Sequence, residues 1–262
     1  MGAVLRDDSW DSVFPTDLIP RLFDLVCRAW PRIGAFPSDT REDAISRKLV
    51  ARMRLVARRS RTPVTIASQY ELLGSQGEVL GKIDILVHPG LADEVYFSFE
   101  CKRLNVVHGS GPASGAGKYC DEGMMRYVNE QYAAGLGRGG MIGYVMDGRR
   151  AEAVKAINKA MVPRRENLRL AHGPSLRRSC LPLRRSYLRD TQHRTVRERD
   201  FTIHHVFLPM AGARSDPEPS ANVRDDEPTR ENSHCWCGAR TSTGTAGDGS
   251  GSMSLDFMRR RR

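Results

Sequence analysis

Between Gly81 and Arg103 the chain reads GKIDILVHPGLADEVYFSFECKR, and this stretch restricts the fold more than any other. Val79 to Val87 has the composition of a β-strand, with Asp84 set among Ile83, Ile85, Leu86 and Val87. His88-Pro89-Gly90 marks a turn. Glu94 to Leu104 is a second strand, rich in Val, Tyr and Phe, and it ends in Glu100-Cys101-Lys102. Side chains alternate across a strand, so Glu100 and Lys102 share one face roughly 7 Å apart along the chain, and Phe99 and Cys101 share the other. Ionisable groups on an otherwise apolar strand are costly unless they are paired or used. With Asp84 opposite them, three charged groups converge at one point. That arrangement suits a divalent cation and a reacting phosphate.

The segments before this pair supply helices and a third strand. Residues 16–30, TDLIPRLFDLVCRAW, form a helix with Thr16 as cap, Leu18, Leu22 and Val26 on one face, and Pro31 as the stop. A second helix begins near Asp39-Thr40 and continues through REDAISRKLVARMRLVARR, with Thr40 and Asp43 spaced as a capping box. Its apolar stripe is Ile45, Leu49, Met53 and Val56. Glu42, one turn before Ile45 and Ser46, can lean toward the core; its plainer use is to complement the helix dipole. Arg58 to Thr62 is a basic turn, Thr65 to Leu73 a strand, and Gly74-Ser75-Gln76-Gly77 a hairpin signal. Three successive antiparallel strands after a helix open an α+β domain.

After the central pair, Asn105 to Gly117 is a Gly/Ser-rich loop. It ends in Gly117-Lys118, but Pro112 and Tyr119 stand where a phosphate-binding loop needs Gly and Ser or Thr. Tyr119 to Ala134 is a helix with Met124, Tyr127, Val128 and Tyr132 toward the core, and with Arg126 and Gln131 able to reach the rim of a site. Met141 to Met146 is a short buried strand, and Arg149 to Met161 an amphipathic helix. Residues 164–200 are arginine-rich and weakly periodic. Phe201 to Met210 is the last clear strand; His193 precedes it, and His204 and His205 project to opposite faces, one internal and one external. From Ala211 onward the composition is that of a disordered polar tail. His234-Cys235-Trp236-Cys237 lies in it, three soft ligands without the fourth that a structural zinc site needs.

The formal net charge is +10, and residues 149–200, with fifteen Lys/Arg against five Asp/Glu, hold an excess of the same size. A basic segment beside an acidic centre points to a polyanion, nucleic acid above all. Arg149, Arg150, Arg164 and Arg165 are the nearest candidates for its phosphates, with Arg126 and Gln131. A solvated basic surface is the plainer alternative. The six cysteines lack the spacing of a secreted disulfide framework. No apolar leader or membrane-length apolar run is present, so no membrane is expected and a cytoplasmic setting is.

Asp84 in GKID, followed sixteen residues later by Glu100 and Lys102 in FECK, resembles the signature of the PD-(D/E)XK nuclease superfamily, the restriction-endonuclease-like proteins. The order of elements over roughly residues 40–160 is similar too. Ile83 rather than Pro precedes Asp84. The resemblance implies a three-layer α+β or α/β core, with a central mixed sheet of four to five strands flanked by helices. Residues 39–210 would form it, with a helical segment over 1–38 before it and the tail over 211–262 after it. Residues 190–210 would add a peripheral strand without an anchor in the core motif. The resemblance also implies a Mg²⁺-dependent DNA endonuclease, with Mn²⁺ as a substitute and restriction or phage defence as a setting. Asp84, Glu100 and the Cys101 carbonyl would hold the metal, Lys102 would steady the attacking hydroxide, and Glu42 would assist through water. A homodimer would suit a double-strand cut. The competing reading is a nucleic-acid-binding module of the same fold that cuts nothing.

Overall fold

The computed structural model describes residues 14–73, 76–89, 95–108, 111–133, 136–183 and 187–210. Two helices come first. Helix α1 (Leu18–Ala29) buries Leu18, Ile19, Leu22, Phe23, Leu25 and Val26, the three- and four-residue spacing of one helical face. Helix α2 (Glu42–Arg59) buries Ile45, Leu49, Val50, Met53 and Val56. Neither has the expected cap. Asp17, not Thr16, precedes α1, and Arg41 precedes α2; neither makes a side-chain capping bond. The Thr40–Asp43 capping box does not form, and Glu42 turns to the sheet instead.

Strands β1 (Thr65–Leu73), β2 (Val79–His88) and β3 (Phe97–Leu104) follow as an antiparallel set. The expected Gly/Ser loop carries a small hairpin, β4 (Val106–His108) with β5 (Gly111–Ala113). The expected helix over 119–134 is shorter and less regular. It is a helical segment, α3, built from Ala116–Lys118, a π-helical stretch Tyr119–Met124, and Met125–Val128. Strand β6 (Arg138–Val145), helix α4 (Arg150–Met161) and strands β7 (Arg177–Arg178), β8 (Leu188–Arg194) and β9 (Asp200–Pro209) complete the set. The expected turn at Gly90, part of the 74–77 hairpin and the His234–Cys237 tail lie outside the described residues.

Among the described residues the sheet has seven strands, ordered β1-β2-β3-β6-β9-β8-β7, where four or five were expected. It is mixed: β3, β6 and β9 run parallel, and the flanking strands are antiparallel. The strand of residues 201–210 is therefore central rather than peripheral, held between β6 and β8. Helices cover both faces. On one, Phe23 of α1 packs edge-on against Phe97 and Phe99, and Trp30 stacks on Tyr144. On the other, Tyr119 and Tyr127 of α3 stack on Phe207 and Phe201. Coverage on both sides explains why all but one residue of β3 are buried. Gly139 and Gly140 permit this fit, because a Cβ there would meet the Tyr127 ring and the Phe99 ring at 2.4 Å.

Both His204 and His205 are internal, because β9 is buried on its two faces. On the α3 face the proton positions follow from one carbonyl. His193 Nδ1 must donate to the Leu168 oxygen (2.7 Å), which leaves Nε2 to accept from the Thr191 hydroxyl (2.7 Å). The Thr191 oxygen then accepts from His205 Nε2 (2.8 Å), and His205 Nδ1 accepts from the Tyr119 hydroxyl (2.9 Å). Burial pushes His193 down to about 4 and His205 to about 3, so both rings are neutral, as the relay requires. These histidines are structural.

Candidate metal centre

The centre forms where β2 and β3 stop pairing. Their register runs Val87↔Phe97, Leu86↔Ser98, Ile85↔Phe99 and goes no further. At the next position the Asp84 carboxylate takes over, with Oδ2 accepting from the Cys101 backbone N–H at 2.8 Å. Gln69 Nε2 donates to the other oxygen at 3.1 Å. Gln69 sits in β1 with φ +56°, a conformation that L side chains adopt at a cost. It had no sequence signal beyond being a polar residue in a strand.

Glu100 and Lys102 lie on the same face of β3, as the alternation requires. The Lys102 ammonium donates to Glu100 Oε1 (2.6 Å), to the Cys101 carbonyl (3.0 Å) and to Glu42 Oε1 (3.4 Å). Glu42 is fixed from its other oxygen, which accepts from the Arg103 backbone N–H at 2.7 Å. The first turn of α2 is thereby tied to β3. Arg126 of α3 donates to Glu100 Oε2 at 3.1 Å and is itself held by the Lys82 carbonyl and the Tyr132 hydroxyl. Arg126 thus belongs to the centre; Tyr132, expected in the core, orients it.

Charge is unbalanced here. Asp84 is 8% exposed, Glu100 1% and Lys102 8%. Three carboxyl groups share one buried ammonium and one half-buried guanidinium. Burial, then the Asp84 charge, pushes Glu100 up to about 8 against the pull of Lys102 and Arg126. Glu42 is raised as well, chiefly by burial. Burial alone would lower the Lys102 pKa, but Glu100, Glu42 and Asp84 outweigh it and hold the ammonium above its ordinary value. With all three carboxyls ionised the cluster is short of one positive charge, and the raised Glu100 pKa is the response to that shortage.

The donors are hard oxygens: the carboxylates of Asp84, Glu100 and Glu42 and the Cys101 carbonyl. That set fits a hard divalent cation such as Mg²⁺, which needs few protein ligands and keeps several waters. Each oxygen already accepts one hydrogen bond and retains a second lone pair. A cavity of about 630 Å³ opens beside Glu42 and Lys102, which line it together with Arg41, Arg103, Lys118 and Glu122; Asp84, Glu100 and Cys101 are not part of its lining.

The other sequence candidates lie elsewhere. Gln131 Nε2 donates to the Leu80 carbonyl at 3.1 Å, toward the tip of the β1–β2 hairpin. Arg149 pairs with Asp147, Arg150 lies over the Tyr187 ring, and Arg164 grips Asp121 through two nitrogens. Arg165 is exposed. A second group, Cys180, Asp190 and His204, has candidate ligand atoms within 4.8 Å of one another. Its sulfur is disulfide-bonded, and Asp190 already accepts from His204 Nδ1 at 2.8 Å, so it offers no thiolate. Among the described residues, no helix is long and apolar enough to cross a membrane. No protein-family model matches the chain, and neither does any curated protein or solved structure.

Proposed function

We propose that this chain is a Mg²⁺-dependent nuclease that hydrolyses phosphodiester bonds of DNA, built on a PD-(D/E)XK-like core. The observation that carries the reading is the charge-deficient cluster. Glu100 and Glu42 bond Lys102 where β2 and β3 part, Asp84 is held on the neighbouring Cys101 N–H, a cavity opens beside Glu42 and Lys102, and the Glu100 carboxyl is pushed up to about 8. Asp84, Glu100 and the Cys101 carbonyl would hold the ion, with Glu42 in support. When bound, Mg²⁺ polarises a phosphoryl oxygen and makes a bound water more acidic.

The chain's own groups do the rest. Lys102 has three ammonium donors, and in this structure all three are taken. Its contact with Glu42, at 3.4 Å, is the longest. That donor is the one to turn to a phosphate oxygen, where it offsets the negative charge that grows in the transition state. Arg126 favours the ionised form of Glu100 and aligns the carboxyl. Gln69 and the Cys101 N–H fix Asp84, so the carboxylate needs little reorganisation. Water adds to phosphorus, one P–O ester bond breaks, and the products are a phosphate monoester and a free hydroxyl.

Circular and linear DNA incubated with the protein in Mg²⁺, against EDTA and against Lys102→Ala, tests this. Metal-dependent cutting that falls by about 10²–10³ in the variant is expected. Cutting unchanged by Lys102→Ala, or no cutting of DNA by the folded protein in Mg²⁺ or Mn²⁺, overturns the proposal.

A further inference from the structure

One surface away from the metal centre is strongly uneven in charge. From Ala44 to Tyr70 the chain has seven Lys/Arg and no Asp or Glu. Lys48 lies over the Phe36 ring, and Arg54 Nε donates to the Ile66 carbonyl at 2.7 Å. The other five, Arg47, Arg52, Arg58, Arg59 and Arg61, are exposed, and among the described residues none has a side-chain hydrogen bond or ion pair. Arg58 and Arg59 complement the helix dipole, a use that needs no partner. Arg47 and Arg52 have no such use.

The chain then turns at Arg61, whose φ is +51°. Arg54, Arg58 and Arg61 surround a cavity of about 490 Å³, closed by Ala57, Thr62, Pro63, Val64 and Thr65. At a rise of about 1.5 Å per residue, Arg47 to Arg59 at the helix end spans about 18 Å. That matches roughly five steps of a nucleic-acid strand at 3.4 Å each. The apolar stripe that a membrane-binding helix would insert is already spent in the core, with Ile45, Leu49 and Met53 fully buried. The helix carries no aromatic ring on which an unpaired base could stack.

We infer that the outer face of α2 and the arginine-walled cavity at its end dock the sugar-phosphate backbone of a DNA duplex. The contact is electrostatic and reads no sequence. It shares with the nuclease reading only the nucleic-acid partner and does not require an active metal centre.

The test is binding of a labelled duplex of about 20 base pairs to the full chain in EDTA, at salt from roughly 50 to 200 mM. The variant joins Arg47→Gln, Arg52→Gln, Arg58→Gln, Arg59→Gln and Arg61→Gln, all exposed positions. Each phosphate contact contributes about 0.9 to the log–log salt slope, so the variant should lose about 4 from the slope and bind at least about tenfold more weakly. If the fivefold variant does not fold, Arg58→Gln with Arg61→Gln at the cavity should lose about 2. Arg21→Gln with Arg28→Gln, on α1, should leave the slope unchanged. Equal loss in this control, an unaltered slope in the α2 variants, or no duplex binding by the parent chain overturns the inference. So does α2-dependent binding to phosphatidylserine vesicles with duplex binding intact. Failure to cleave in Mg²⁺, with the EDTA binding and its slope as expected, overturns the nuclease reading alone.

Discussion

Replacing Glu100 by Gln isolates the carboxylate crowding on which the proposed metal centre rests. Burial and the Asp84 charge carry the Glu100 pKa from an ordinary 4.5 to about 8. The folded state then holds a proton that the unfolded state has lost throughout that window. Stability from this group is therefore greatest below pH 4.5 and falls as pH rises to about 8. At about 1.4 kcal/mol per pH unit, the full window is worth at most about 5 kcal/mol. Lys102 does not distort the slope: its raised pKa contributes stability that is fully present below 10.5. His193 and His205 act oppositely. Their depressed pKa values make stability rise with pH up to 6.5, so the difference between parent and variant is the quantity to read.

Urea unfolding in EDTA at several pH values from about 5 to 8.5 gives that difference. The parent should lose about 3–5 kcal/mol relative to Glu100→Gln across the range. Adding Mg²⁺ at the alkaline end should restore stability to the parent and little to the variant, because bound metal stabilises the state that holds it. Slopes are compared rather than absolute stabilities, since the Glu100→Gln change leaves the Lys102 charge less well paired. Parallel curves for the two proteins, with no separate response to Mg²⁺, would show that Glu100 is an ordinary paired carboxylate and remove the argument for a cation.

Two further changes probe the support of the centre. Arg126→Met strips one donor from Glu100 Oε2; a loss of about 1–3 kcal/mol at pH 7 is expected, discounted for the partial exposure of Arg126, and the pH window moves further up. Gly140→Ala places a Cβ 2.4 Å from the Phe99 ring and should lower thermal stability by about 1–3 kcal/mol without changing the pH dependence assigned to Glu100.

What the sequence discloses divides along the kind of residue each element buries. Helices α1, α2 and α4 bury apolar residues at helical spacing and strands β2 and β3 bury continuous runs, so their places are legible within a few residues; β1 buries only Ile66 and is legible from its composition. Strand β8 is not, because LRDTQHR buries Asp190, Thr191 and His193 and shows no apolar alternation. Asp190 is satisfied by His204, the Ser179 hydroxyl and the Cys180 N–H, and Thr191 and His193 by each other, His205 and the Leu168 carbonyl, partners that a single strand cannot announce. With β8 hidden in this way, β9 reads as an edge. At the centre, the alternation of Glu100 and Lys102 and the isolation of Asp84 in an apolar run are readable locally. Gln69 is not, because its position depends on a positive φ.

The basic surface teaches the complementary point about charge. Residues 149–200 carry an excess as large as that of the whole chain, yet Arg164, Arg169, Arg194, Arg197 and Arg199 pair with Asp121, Glu198, Asp200 and Glu130. An arginine held by a carboxylate adds little field at a distance and must give up that partner before it can take a phosphate. Two of the partners, Asp121 and Glu130, lie outside the segment, so a count confined to 149–200 misses them. Helix α2 has no acid along its own sequence beyond the first turn, and among the described residues its outward Arg47, Arg52, Arg58 and Arg59 make no ion pair. That first turn carries Glu42 into the metal centre, while the free arginines follow from Arg47 onward. On the two proposals together, one helix would present carboxylate to a cation at its start and guanidinium to phosphates along its outer face. Those are the two opposite demands that a metal-dependent enzyme acting on a polyanion would have to meet.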